Sequence, residues 1–130
     1  MSKVVIALMA VWLLTGGAGQ VADDGRPVIA PAAINPYGGD AEAIANGEIL
    51  FARISCHGCH GSNARGGNGP DLTDDEWLRQ PGDDMVFRAI KFGRKGTMMS
   101  PFKDDLSDEQ IWYLVSYLGD LAERRKSQER

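Results

Sequence analysis

Cysteine and histidine are scarce: the 130-residue chain holds two of each. Two cysteines cannot build the multi-disulfide framework that small secreted domains use in place of a core. Basic residues are in the minority, with Lys plus Arg at 14 against Asp plus Glu at 18, a formal net charge of -4. That balance lacks the basic face needed to neutralise phosphates, so no nucleic-acid partner is expected. Long apolar runs are missing too. The run at residues 4–14 falls short of the roughly 20 residues that span a bilayer. No segment alternates apolar and polar residues convincingly, so no strand is expected and the fold class is all-α.

The first segment does have a recognisable shape. Lys3 precedes the short apolar run, and Thr15, Gly16, Gly17, Ala18 and Gly19 follow it. A basic start, a short apolar middle and a small-residue exit are the pattern of a secretory signal peptide. Residues 1–22 are read as that signal, with cleavage after Ala22 or Ala18; retention as a membrane anchor is the other reading. Export would place the mature chain in the periplasm, an oxidising compartment, with no stable membrane insertion once the signal is removed.

Residues 23–40 read as an irregular leader, with Pro27, Pro31, Pro36, Gly38 and Gly39. Asp40 can cap a helix from Ala41 whose apolar stripe is Ile44, Gly47, Leu50, Phe51 and Ile54. Glycine inside a helix costs about 1 kcal/mol against alanine, so Gly47 implies close approach of another backbone. Residues 61–70 carry Gly61, Gly66, Gly67, Gly69 and Pro70 and form a loop. Thr73 and Glu76 have capping-box spacing and predict a short helix through Trp77 and Leu78, ended by Pro81 and Gly82. Asp83 or Asp84 opens another helix, with Met85, Val86, Ala89 and Ile90 on its buried side and Gly93 at its end. Ser107 and Gln110 form a second capping box before Ile111, Leu114, Val115, Leu118 and Leu121 at helical spacing. The charged tail, residues 122–130, is expected to fray. Few helices and long loops leave a thin core, which a large buried cofactor would thicken.

The chemistry lies in Cys56-His57-Gly58-Cys59-His60, which contains both cysteines and both histidines of the chain. C-x-x-C-H is the attachment signature of c-type haem. Two cysteines three apart on one helical turn can each add to a haem vinyl group, and the next residue, His60, can then offer its imidazole to the iron. Zinc wants four ligands, and the only other histidine is His57, wedged between the cysteines. A thioredoxin-like C-x-x-C would need a βαβ pattern, which is missing. Haem iron in electron-transfer cytochromes commonly takes a methionine as its second ligand. Met98 and Met99 stand in the irregular stretch before the last helix. Met99, followed by Ser100 and the loop-stiffening Pro101, is preferred, with Met98 as the alternative. Met85 is assigned to core packing.

With these pieces in order, residues 41–121 resemble the class I c-type cytochromes. The carriers are Gly47 and Phe51, then Cys56-x-x-Cys59-His60, then Gly69-Pro70-Asp71-Leu72, then Met99-Ser100-Pro101-Phe102, and a last helix with Tyr117. The likeness is closest to the small periplasmic cytochromes that accept electrons from PQQ-dependent alcohol and methanol dehydrogenases. It is carried by Asn35-Pro36-Tyr37-Gly38-Gly39 and by the stretch from Gly69 to Trp77. The Met-Ser-Pro sequence departs from the Met-Pro of many relatives.

The resemblance implies a fold of a few helices wrapped around one covalently attached haem c. It implies that Gly47 and Phe51 meet the Tyr117 turn. It implies that the Pro70 carbonyl accepts a hydrogen bond from His60, that Leu72 touches the haem face and that Trp77 sits near a propionate. The activity it implies is that of an electron carrier, not an enzyme, between a periplasmic dehydrogenase and a terminal oxidase or another cytochrome. Two alternatives remain: a haem enzyme or gas sensor with an open iron site, and a thiol-disulfide oxidoreductase using Cys56 and Cys59. Lys91, Arg94, Lys95 and Lys103 flank the Met loop, acidic residues gather elsewhere, and one of these two faces would steer docking.

Overall fold

The computed structural model describes residues 34–74 and 82–130. The expected signal, the first part of the leader, and the short helix expected at Trp77 and Leu78 lie outside the described residues. Among the described residues the secondary structure is all helical: α1 (Ala41–Arg53), α2 (Cys56–His60), α3 (Gly82–Phe92) and α4 (Asp108–Gln128). The all-α expectation is met.

Both long helices begin where their caps predict. The Asp40 carboxylate accepts from the Ala43 amide at 2.7 Å, satisfying one of the donors a helix leaves unpaired at its start. At α4 the box is reciprocal: the Gln110 amide donates to Ser107 Oγ at 3.2 Å, and the Ser107 amide to Gln110 Oε1 at 2.9 Å. The buried face of α1 is Ala43, Gly47, Leu50 and Phe51. That of α4 includes Ile111, Leu114, Val115, Tyr117, Leu118 and Ala122.

The two helices meet at Gly47. A β-carbon there would lie 2.7 Å from the Tyr113 carbonyl carbon and 2.7 Å from Tyr117 Cβ, and nearer still to the Tyr113 oxygen. Backbone faces backbone, so only a hydrogen fits. One turn on, the Phe51 and Tyr117 rings pack at 5.6 Å. Burying such an aromatic contributes about 1.5–3 kcal/mol, which offsets the propensity loss at Gly47.

Helix α3 packs on α4 through buried Ile90 and through Phe87, whose ring stacks on Trp112 at 4.3 Å. The sequence placed Met85 inside; it is 39% exposed, and Phe87 faces α4 instead. Apolar residues at 85, 86, 87, 89 and 90 cover more than one face, so spacing alone leaves the helix rotation open. A stacked aromatic pair adds about 0.5–1.5 kcal/mol beyond its buried area, and that favours Phe87.

Two segments are better held than their composition suggests. Asn35 Nδ2 donates to Ser116 Oγ at 3.0 Å, and Ser116 Oγ donates to the Tyr37 carbonyl at 3.0 Å. Tyr37 OH donates to Glu109 at 3.0 Å, and its ring meets Tyr113 edge-on at 5.1 Å. The end of the chain also departs from expectation. Fraying was expected after Ala122, yet α4 continues to Gln128, with Arg124 on Asp120 and Arg125 on Asp71, both at 2.7 Å.

Candidate functional site

The site starts from a sharp turn. Ser55, between α1 and α2, has a left-handed φ of 64° and no side-chain cap bond. It swings the chain into one short helical turn that carries Cys56, half-buried, and Cys59, exposed. His57 is exposed and His60 half-buried.

A helix of five residues leaves most of its carbonyls unpaired, and the glycine loop after it supplies the donors. Gly61 donates to the His57 carbonyl at 2.9 Å, Gly69 to Cys59 at 2.8 Å and Gly66 to His60 at 2.7 Å. The loop is thereby folded over the end of α2, which brings the Pro70 carbonyl to 2.9 Å from His60 Nδ1. A carbonyl can only accept, so Nδ1 is the donor, and the ring is oriented by a backbone partner. Nε2 is then the nitrogen left for a metal, which imidazole binds in its neutral form. Gly69 makes room for the ring, because a β-carbon there would lie 2.8 Å from His60 Cε1.

On the other side of the sequence, the methionine loop is pinned to the end of α3. The Arg94 amide donates to the Met99 carbonyl at 3.0 Å, and the Phe102 amide donates to Ile90 at 3.1 Å. Gly93, at φ +66°, would carry a β-carbon 2.8 Å from Pro101 N, so the loop folds back tightly. The loop separates the two methionines. Met99 is half-buried against the main apolar cluster, whereas Met98 is 91% exposed. Leu72 is buried in that cluster, and Cys56 packs against it as Met99 does. Pro70 is exposed apart from its carbonyl contact. Trp77 lies outside the described residues.

Burial pushes the Cys56 thiol up to about 11. Part of the basic set near the methionine loop is neutralised within the chain: Lys91 pairs with Asp108 at 2.7 Å and Lys103 with Asp104 at 3.0 Å. Sequence reasoning missed the cluster of Asp71, Thr73 and Arg125. Its members are 52 and 54 positions apart, and no local pattern links them.

A covalent haem can be attached only through Cys56 and Cys59, since the chain has no other cysteine. The surrounding residues fit it, with an imidazole held at Nδ1 by a carbonyl next to the cysteines and a half-buried thioether in the loop after α3. Fold and site together define a class I c-type cytochrome with one haem c.

Comparison with known proteins gives the family. A family model described as "Cytochrome C oxidase, cbb3-type, subunit III" matches residues 42–118, and the chain belongs to that cytochrome c family. Cytochrome c-L of Methylorubrum extorquens is 35% identical over 85 residues, 65% of this chain and 43% of its own. The cbb3-type cytochrome c oxidase subunit FixP of Sinorhizobium medicae is 33% identical over 90 residues, 62% of this chain and 31% of its own. The crystal structure of cytochrome cL from Methylophaga aminisulfidivorans superposes with a TM-score of 0.59 at 33% identity, covering 72% of this chain and 70% of that one. The chain thus spans less than half the length of these two curated relatives. Among the described residues no helix is long and apolar enough to cross a membrane.

Proposed function

We propose that this protein is a periplasmic one-electron carrier, accepting from a dehydrogenase of the PQQ type and passing to a terminal oxidase or another cytochrome. Cys56 and Cys59 would hold the haem covalently as thioethers, and His60 and Met99 would supply a nitrogen and a sulfur to its iron. When bound, the haem supplies a ferric/ferrous couple. The chain's own residues do the rest. Pro70 holds the His60 proton on Nδ1 and so fixes the ring. Gly93 and the Ile90 carbonyl fix the Met99 loop, and Leu72 offers apolar surface to the haem face. Ligands that stay in place through a redox cycle keep reorganisation small, which suits a carrier.

The observation that carries this reading is the contrast between Met99, half-buried against the core, and Met98, 91% exposed. As a sheltered second ligand, Met99 would close the iron to oxygen and substrates, which supports the carrier reading over the enzyme and sensor readings. The likeness to FixP, a subunit of a cbb3-type cytochrome c oxidase, fits the oxidase end of the proposed route. The test is a visible spectrum of the exported, haem-loaded protein, oxidised and reduced, with and without carbon monoxide. Reversible reduction, a sulfur-to-iron band and no carbon monoxide binding at neutral pH are expected. Ready binding of carbon monoxide would overturn the carrier reading.

A further inference from the structure

We infer that Arg125, in the last turn of α4, is a positioning residue for the axial His60, acting through Asp71 on the Pro70 carbonyl. The inference rests on His60 being an iron ligand, as proposed above. The His60 ring is oriented by one backbone acceptor, Pro70 O, at 2.9 Å. Proline has no amide to anchor itself, so its neighbours must hold it. On one side, Gly69 is tied to the Cys59 carbonyl at 2.8 Å. On the other side stands Asp71, and its side chain is engaged by both oxygens. Asp71 Oδ1 accepts from the Thr73 amide and from the Thr73 hydroxyl, each at 2.8 Å. Asp71 Oδ2 accepts from Arg125 Nη1 at 2.7 Å, and the same nitrogen donates to Thr73 Oγ1 at 2.9 Å.

One guanidinium nitrogen thus bridges the two ends of the Asp71–Thr73 turn to a helix far along the chain. Arg125 Nε donates to Glu129 at 2.8 Å, one turn on, which holds the guanidinium plane ready. The ion pair is partly shielded, its side chains 24% and 23% exposed. It is therefore less screened than the surface pairs that contribute little. Lysine could supply the charge and both bonds of that one nitrogen, but not the second donor, Nε, that ties the same plane to Glu129. Beside it lies a cleft of about 280 Å³ bordered by Asn63, Arg65 and Thr73 from the loop and by Arg124 and Arg125 from α4. Solvent can therefore reach the clamp from this side. When the clamp opens, the loop carrying Pro70 is released at this end, and the His60 Nδ1 proton loses its acceptor.

The test follows the His60 Nδ1 proton by nuclear magnetic resonance in the reduced, haem-loaded full chain. Its exchange with solvent is compared in wild type, Arg125→Met, Arg125→Lys, Asp71→Asn and the double variant Arg125→Met with Asp71→Asn. Arg125→Met is expected to speed exchange about tenfold, equivalent to about 1.4 kcal/mol of loop opening. Arg125→Lys should recover part of the protection. The double variant should exchange no faster than the faster single, because both act on one route. It also leaves the net charge unchanged. A weaker Nδ1–H bond makes His60 a poorer donor to iron, so its midpoint potential should move positive without a charge contribution.

Arg125→Met that lowers thermal stability while leaving the Nδ1 proton protected would make Arg125 merely structural and overturn the inference alone. Additive effects in the double variant would do the same. A His60 ring without the shift of an iron-bound imidazole would overturn the ligation and the inference together.

Discussion

Alanine at Gly47 and alanine at Gly119 are the same substitution in two helices, and the structure gives them opposite signs. At Gly119 the new methyl meets nothing within 4 Å. The change then reports helix propensity alone, a gain of up to about 1 kcal/mol. At Gly47 the same propensity gain is available, but the methyl would sit 2.7 Å from the Tyr113 carbonyl carbon and from Tyr117 Cβ. Neither is the end of a flexible side chain, so α1 and α4 must separate. Overpacking costs about 1–3 kcal/mol where rotamers can give, and here they cannot. Taking the upper value against the propensity gain leaves a net loss of about 2 kcal/mol. A domain of this size shifts its midpoint by about 4–8 °C per kcal/mol. Gly47→Ala should therefore melt about 8–16 °C lower and Gly119→Ala about 4–8 °C higher, by the same conversion. Thermal unfolding of the haem-loaded proteins, followed by circular dichroism at equal haem content, measures both. A Gly47→Ala protein as stable as wild type would refute the close approach of the two backbones.

Met99→Ala should abolish the sulfur-to-iron absorption band while Met98→Ala keeps it; the reverse would move the ligand to the exposed position. Gly69→Ala pushes a methyl to 2.8 Å from His60 Cε1. It should cost about 1–3 kcal/mol and alter the reduced spectrum, whereas an unchanged spectrum would mean that the ring is not held there. Ser55→Gly removes a left-handed non-glycine residue that makes no cap bond. The relief of about 1–2 kcal/mol, less about 0.4–1 kcal/mol of added unfolded-chain entropy, predicts a small rise in the urea midpoint. For Asp71, burial opposes ionisation, but the Thr73 amide and hydroxyl and the Arg125 guanidinium outweigh it and hold the pKa below the usual range. Its contribution to stability is complete above the unfolded value of about 3.9 and is lost as pH falls through the lower folded value. The stability gap between wild type and Asp71→Asn should thus be constant near neutrality and close below about pH 4; urea midpoints from neutral to strongly acid pH would show a constant gap if the pairing were absent.

How far the sequence reveals the molecule depends on the range of each interaction. The starts of α1 and α4 are legible because Asp40 and Ser107 act on amides three residues away. The C-x-x-C-H turn is legible because its chemistry fits one helical turn. Gly47 is legible as an anomaly, a costly residue that needs a reason, although its partners at Tyr113 and Tyr117 are not. The rotation of α3 is ambiguous because five apolar positions cover more than one face, and Trp112, on another helix, decides it. The clamp of Arg125 on Asp71, and that of Asn35 and Tyr37 on Ser116, join residues 54 to 81 positions apart. Each partner alone reads as an ordinary solvated polar residue, which is why the leader seemed loose and the tail frayed.

These distant ties share one physical purpose. The thin core supports two helices well, but both candidate iron ligands sit outside it, on the short turn α2 and on the loop after α3. Neither could hold a side chain still by its own helical hydrogen bonds. His60 is fixed instead by a carbonyl from the glycine loop, and that loop is tied to the end of α4. Met99 is fixed by amide and carbonyl bonds to the end of α3, and α3 is tied to α4 through Phe87 and Trp112. Both ligands are thus referred to the same helix by separate routes. Motion of α4 as a whole would carry them together, whereas a break in one route would release one ligand and leave the other in place. Damage to the Arg125 end should therefore appear at His60 before it appears at Met99. Damage to the Phe87–Trp112 stack should appear in the reverse order.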